Sequence, residues 1–327
     1  WGKSADRTGQ MRQYALKRIA LFIPTFLLIT IIVFVVMRLI PGDACLAILS
    51  DGEATFTQEE LADCRAELDL DKPLVVQYFD WIGGAVQGDF GDSLWFKAPV
   101  MVELKERIPV TVELTVLAML IAVVFAVPLG ILSAIKPESP IDYVARVFTL
   151  IGIALPTFMV AIFFILFLVA VFDWLPPLGY QPLWVDPRAN LQQMIFPALA
   201  LAIYEMAFVA RVTRSAMMEI IREDYMRTAR SKGLSETVVV LRHGLKNALL
   251  PVLTTSGWIF ARLFGGTVII ETIFLVPGMG RILIEAIFQR DYTMIQAEIV
   301  IIAAFIVTIN LVVDLLYGVL DPRIRYA

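Results

Sequence analysis

The sequence predicts an all-α integral membrane protein with six transmembrane helices and an extracytoplasmic helical insertion between helices 1 and 2. Three observations lead there. The 327 residues are 59% hydrophobic and 18% charged, with a mean hydropathy of +0.77, whereas soluble domains are ~45–50% apolar and ~25% charged. Six apolar runs, near residues 19–39, 109–135, 146–172, 194–212, 251–275 and 297–318, approach the roughly 20 residues needed to cross ~30 Å of hydrocarbon. Basic residues gather in alternate connections.

Residues 1–18 are read as a cytoplasmic segment holding Lys3, Arg7, Arg12, Lys17 and Arg18. Its first ten residues, WGKSADRTGQ, are polar and open without an initiator Met, so they are expected to be trimmed or partly foreign to the native chain. The GKS at Gly2 to Ser4 is not a phosphate loop, which needs a preceding strand and GxxxxGK[ST]. Lys136 and Arg146 flank the loop after span 2. Arg211, Arg214, Arg222, Arg227, Arg230, Lys232, Arg242 and Lys246 lie between spans 4 and 5, and Arg323 and Arg325 end the 319–327 tail. These sites hold 17 of the 27 basic residues, so both termini are expected in the cytoplasm, with residues 40–108 on the far side. The net charge of −4 gives no reason to expect nucleic acid.

The insertion is acidic, with Asp43, Asp51, Glu53, Glu59, Glu60, Asp63, Glu67, Asp69 and Asp71. TQEELADCRAEL opens as a capping box, Thr57 with Glu60. PLVVQYFDWIGGAVQG begins at Pro73 and sets Val76, Phe79 and Ile82 on one face, with Tyr78 and Trp81 close by. That suits either a helix at the membrane interface or a small external cap packed on the spans. Cys45 and Cys64 both fall in this segment and are read as a candidate disulfide or as two unpaired thiols. The later spans contain Pro128, Pro156 and Pro197, as the first contains Pro24, which membrane helices tolerate when neighbours satisfy the freed carbonyl.

No catalytic constellation is visible. The one histidine, His243, cannot build a metal cluster alone, and it lies thirteen residues from Ser256 across the predicted membrane boundary. Thr255, Ser256 and Gly257 read instead as a small-residue packing patch. Ionisable residues inside spans are costly unless they face a partner or water. Glu205, Arg262, Glu271 and Asp314 are therefore candidates for a polar translocation path, or else for ion pairs within the bundle, Glu205 with Arg262 for example, and for an interfacial position of Glu271.

Between spans 4 and 5, residues 213–250 form the most basic loop. Met217 to Lys232 reads as one helix, acidic early and basic late as the helix dipole favours, with Gly233 as its stop. A second helix starts near Ser235 and leads to Pro251. Ala229 and Gly233, four residues apart, leave a low ridge where another protein could approach closely.

This stretch resembles the cytoplasmic coupling loop of ATP-binding-cassette (ABC) importer permeases, and the whole chain resembles the B-type permease of the dipeptide/oligopeptide/nickel family. The landmarks appear in order: LIPGD (Leu39 to Asp43), LDLDKPLVVQY (Leu68 to Tyr78), GDFGDS (Gly88 to Ser93), RIPVTVEL (Arg107 to Leu114), ETIFLVPGMGRILIEAIFQRDY (Glu271 to Tyr292) and DLLYGVLDPRIRY (Asp314 to Tyr326). Arg227, Thr228 and Ala229 stand where the compact importer signature has Glu-Ala-Ala, and the segment from Gly233 to Pro251 is longer; both look like the peptide-family version. Cys45 and Cys64 are not family landmarks.

The resemblance implies a type I ABC importer transmembrane fold in a prokaryotic inner membrane, with no cofactor in this chain. ATP and Mg would be bound by two cytoplasmic ATPase subunits. Tyr225, Arg227, Thr228, Ala229, Arg230, Lys232 and Gly233 would couple to one of them. A second, related permease would complete a heterodimer in membrane lipid, and an extracytoplasmic substrate-binding protein would deliver a dipeptide, oligopeptide, nickel chelate, glutathione or oligosaccharide. The alternative is a stand-alone secondary transporter or channel.

Overall fold

The first apolar run needs no partner to be helical, because every backbone group in hydrocarbon must be bonded within its own segment. In the structure, a computed structural model that describes residues 2–40, 45, 57–67 and 70–320, it forms α1 (Gly2–Leu39). Pro41 to Asp43, the acidic residues Asp51, Glu53 and Asp69, and Arg323 and Arg325 of the tail lie outside the described residues.

Two short helices of the insertion follow. In α2 (Gln58–Glu67) the capping box closes: Thr57 N donates to Glu60 Oε2 at 2.7 Å, and Glu60 N donates to Thr57 Oγ1 at 3.2 Å. These bonds hold the Glu60 carboxyl below its usual range. Cys64 of α2 is disulfide-bonded to Cys45. In α3 (Leu74–Val86) one face docks on the C-terminal end of α1: Arg38 Nε donates to Gln77 Oε1 at 3.0 Å, Tyr78 shares a 2.9 Å hydrogen bond with Thr30, and its ring meets Phe34 edge-on. The opposite face leaves Val75, Phe79 and Val86 exposed. The helix thus both packs on a span and presents an apolar stripe.

The spans differ in shape from six straight rods. Helix α4 (Val100–Ile135) starts well before the apolar run and carries Pro109 and Pro128 within it. Span 3 is broken: α5 (Pro140–Ala154) and α6 (Thr157–Phe172) meet at 105°. Pro156 is the cause, because its ring disfavours helical geometry at the preceding residue, and Leu155 is extended at φ −82°, ψ 128°. Hydropathy records the apolar length but not this bend. Helix α7 (Pro187–Ile221) is capped by Asp186, which accepts from the amides of Arg188 and Ala189.

The fifth span, α8 below, is preceded by a short surface helix. The expected single helix from Met217 to Lys232 is instead two: α7 ends at Ile221, the chain turns through Arg222 and Glu223, and a separate helix runs Asp224–Ser231. Glu223 is extended at φ −66°, ψ 147°, which starts the new helix with Asp224 in its first turn. The next helix, α8 (Glu236–Gly266), opens after Ser235 and contains a π-helical turn over Val239–Gly244. Beyond Gly266 the chain continues as α9 (Val268–Ile273) and α10 (Met279–Phe288), and α11 (Tyr292–Leu320) returns. The described residues contain no strand, only one isolated bridge between Asp92 and Pro99.

Helices α4 and α7 form the centre. They approach closely because Ala118, Ala122 and Ala126 line one side and Ala198, Ala202 and Ala210 the other, and a Cβ on Gly130 would lie 2.6 Å from Thr213 Cβ. Small residues supply such contact where lipid offers no hydrophobic drive. Gly257 likewise abuts Val313, placing the small-residue patch of α8 against α11. Arg18 of α1 pairs with Asp314 of α11 at 2.9 Å, so the two end spans run antiparallel and both termini emerge on one face of the bundle.

Candidate functional site

Chemistry-bearing side chains gather at three depths. On the face that carries both termini, the Asp224–Ser231 helix lies flat against the bundle. Met226 and Ala229 are buried on Val239, Ile220 and Ile221, while Tyr225, Arg227, Thr228, Lys232 and Gly233 face out. Ala229 therefore does not form an outward ridge with Gly233: its methyl is the floor of the contact with the π turn. Gly233 has φ +78° with nothing within 4 Å of its missing Cβ, so glycine serves the backbone turn here and not a close approach.

Two clips fasten this helix to span 5. Arg230 donates from Nη2 and Nε to both oxygens of Glu236, at 2.8 and 3.1 Å. The hydrogen bonds raise the Arg230 pKa and hold the Glu236 carboxyl below its usual range. Asn247 Nδ2 donates to Tyr225 Oη at 2.8 Å. The helix thus sits between the end of span 4 and the start of span 5 and touches both.

Between α4, α5 and α7 lies a cluster that the sequence reading did not single out. Asp142 is fully buried and accepts from Arg214 at 2.8 and 3.1 Å, from Ser133 at 2.5 Å and from the Glu138 amide at 3.0 Å, with Arg146 at 3.0 Å. This ties α4, α5 and α7 together at one end. The available signal was a Ser-Pro-x-Asp cap start, in which Ser139 accepts from the Asp142 amide, opposite an arginine at the same depth of the next span.

Midway through the bundle, Arg262 Nη2 donates to Glu205 Oε1 at 2.8 Å. The guanidinium lies 4.9 Å from the Tyr204 ring and 5.5 Å from the Trp258 ring, favourable positions for a cation over aromatic faces. Both charges line a cavity of about 390 Å³ that opens at the Leu155–Pro156 bend and is walled by Ile153, Leu201 and Leu263. Glu205 is almost wholly buried, whereas 43% of the Arg262 side chain is exposed.

Of the four candidate path residues only these two share the cavity. Asp314 pairs with Arg18 near the terminal face. Glu271 is not interfacial but fully buried. Its Oε1 accepts from Thr111 at 2.8 Å and its Oε2 from the Arg281 amide at 3.1 Å, while Thr111 accepts from the Met279 amide. A Cβ on Gly278 would come within 2.5 Å of the Glu271 carboxyl, which explains the glycine of the PGMG turn. Glu298 is also buried, within electrostatic reach of Glu271 and Arg107. The GDFGDS loop is joined to the same end: buried Asp291 accepts from Ser93 Oγ and from the Trp95 and Met294 amides.

The chain is thus a polytopic bundle with one bent span, a cavity lined by charges from two spans and a surface helix seated between two spans. Residues 126–326 match the family model described as Binding-protein-dependent transport system inner membrane component, and residues 11–115 match its N-terminal counterpart. The chain belongs to this family and is a multi-pass inner-membrane permease subunit of an ABC importer. It is 38% identical to the oligopeptide transport system permease protein AppB of Bacillus subtilis over 319 residues, covering 97% of this chain and 100% of that one. It is 39% identical to the glutathione transport system permease protein GsiC of Shigella flexneri, and 38% identical to the dipeptide transport system permease protein DppB of Alkalihalophilus pseudofirmus, each over 97% of this chain and 100% of the relative. An inward-facing structure of the MetNI methionine ABC transporter shares the fold, with a TM-score of 0.53 at 16% identity over 68% of this chain and 97% of that one.

Proposed function

We propose that this permease forms half of the path of an ATP-driven peptide importer, and that the Asp224–Ser231 helix is the contact through which a cytoplasmic ATPase moves it. The observation that carries the reading is the seating of that helix. It is anchored inward by Met226 and Ala229, clipped to span 5 by Arg230 and Asn247, and presents Tyr225, Arg227, Thr228, Lys232 and Gly233 outward. A push on this face would reach spans 4 and 5 together, and these two spans carry Glu205 and Arg262.

In this reading both termini are cytoplasmic, two ATPase subunits bind ATP and Mg, a second related permease supplies the other wall of the path, and a binding protein docks outside. The chain has no catalytic role of its own. The peptide substrate is supported by the names of full-length relatives at 38% identity.

The test is to purify the chain gently from its native membrane and identify its companions by mass spectrometry, then measure uptake in vesicles. ATPases, a second permease and a binding protein should co-purify, and uptake of small peptides should require ATP. A homo-oligomer that transports without ATP would end the proposal.

A further inference from the structure

The Arg262 cavity carries more chemistry than the wall of a pore requires. Arg262 belongs to the fifth span, yet 43% of its side chain is exposed beside the cavity that it lines. Within a span a cation is costly unless it faces water or a partner, and the cavity that Arg262 lines supplies such a space. A guanidinium has five N–H donors in a fixed fork. Among the described residues its one hydrogen bond is to Glu205, and the Tyr204 and Trp258 rings lie 4.9 and 5.5 Å from the centre of the guanidinium. The remaining donors point to an anion.

The neighbouring carboxylate narrows the class of anion. Glu205 neutralises the pair and keeps one oxygen, Oε2, buried without a partner. A dianion such as phosphate would bring its second charge against Glu205, whereas a monoanion that is part of a zwitterion meets a site of zero net charge. The planar fork matches a carboxylate in bidentate fashion. The apolar wall of Ile153, Leu155, Leu201 and Leu263 suits a side chain next to it, and 390 Å³ lies within the ~300–1,000 Å³ of small-ligand pockets. Passage also requires that a ligand be held weakly enough to leave, and a guanidinium already shared with Glu205 satisfies that condition.

We propose that Arg262, positioned and tempered by Glu205, is a transient station for the free C-terminal carboxylate of a peptide in passage. The inference rests on the peptide-importer reading and adds a chemical requirement to it.

The experiment uses the complete complex in proteoliposomes, with a labelled tripeptide and its C-terminal amide, both first verified to load the binding protein. In the wild type, free-acid uptake should exceed amide uptake about tenfold, the factor commanded by a modest charge-assisted hydrogen bond. Arg262→Gln should bring that ratio to about one, and Arg262→Lys should restore part of it. Glu205→Gln, which leaves the cation unneutralised, should lower KM and kcat together for the free acid. If Arg262→Gln does not assemble, the neutral pair Arg262→Gln with Glu205→Gln replaces it. Equal handling of acid and amide by the wild type, or an unchanged ratio in the Arg262 variants, would overturn the station alone. A wild-type complex with no ATP-dependent uptake of either peptide would overturn the importer reading and the station with it.

Discussion

In the proposed orientation, the outer and inner ends of the fifth span are built in opposite ways. At the outer end, α9, α10 and the turn between them close on buried carboxylates: Glu271 is held by Thr111 and the Arg281 amide, and Asp291 by Ser93, Trp95 and Met294. At the inner end, the Asp224–Ser231 helix is held by a small apolar floor and by clips at its rim, Arg230 with Glu236 and Tyr225 with Asn247. Buried charged hydrogen bonds are worth more than exposed ion pairs, and they are costly to break because a desolvated partner is left behind. On the proposed reading the outer end serves as a fixed bearing, and the inner helix is the part shifted as a unit.

The contrast breaks most readily at the outer end. Gly278→Val should be the most damaging change, lowering stability by ~3 kcal/mol or more, because its side chain must displace the buried Glu271 carboxyl. Thermal unfolding of the detergent-purified protein would measure it, and an unchanged midpoint would contradict the bearing. Asp291→Ala should cost about 2–3 kcal/mol by orphaning Ser93 and two amides. Limited proteolysis between Gly88 and Lys97 would report the loosened loop.

Changes at the inner end should trade small stability effects for large functional ones. Gly233→Val forces a β-branched residue to φ +78°, at roughly 1–2 kcal/mol, and is expected to uncouple ATP hydrolysis from uptake while membrane insertion stays intact. Arg230→Glu should cost at most about 1 kcal/mol, since its pair is exposed, yet uptake per ATP should fall. Undiminished uptake in both variants would remove the lever from the inner helix. The clip has a pH sense too. Because Arg230 depresses the Glu236 pKa, its contribution is complete above the ordinary carboxylate range and is lost as pH falls through the lowered value, so acidification should loosen the helix in hydrogen exchange.

The sequence was legible where physics acts over a few residues or along one axis. Apolar length located the spans, the Thr57–Glu60 spacing its capping box, Ser235 the restart of a helix, and the scarcity of charge in lipid singled out Glu205 and Arg262, which meet in the structure. Direction and long-range partnership were not legible. Hydropathy cannot show that span 3 turns by 105° at Pro156, nor that α7 stops at Ile221 without a proline or glycine to stop it. Ala229 reads as an open ridge until Val239 is placed beneath it. Glu271 reads as a path residue or an interfacial one because its partner Thr111 is 160 residues away, and Asp291 finds Ser93 at a separation of 198.

The π-helical turn at Val239–Gly244 sets the angular phase of the fifth span. A π turn accommodates one surplus residue within an α-helix, and each residue of an α-helix rotates its face by about 100°. In this chain the turn lies between Glu236, which takes the Arg230 clip, and the body of the span that carries Arg262. Deleting a single residue there would leave a shorter, uninterrupted α-helix whose guanidinium pointed elsewhere relative to the clip. The alignment of the surface helix with the charged cavity thus depends on one residue of slack, and loops of identical composition but different length in this stretch would not be interchangeable.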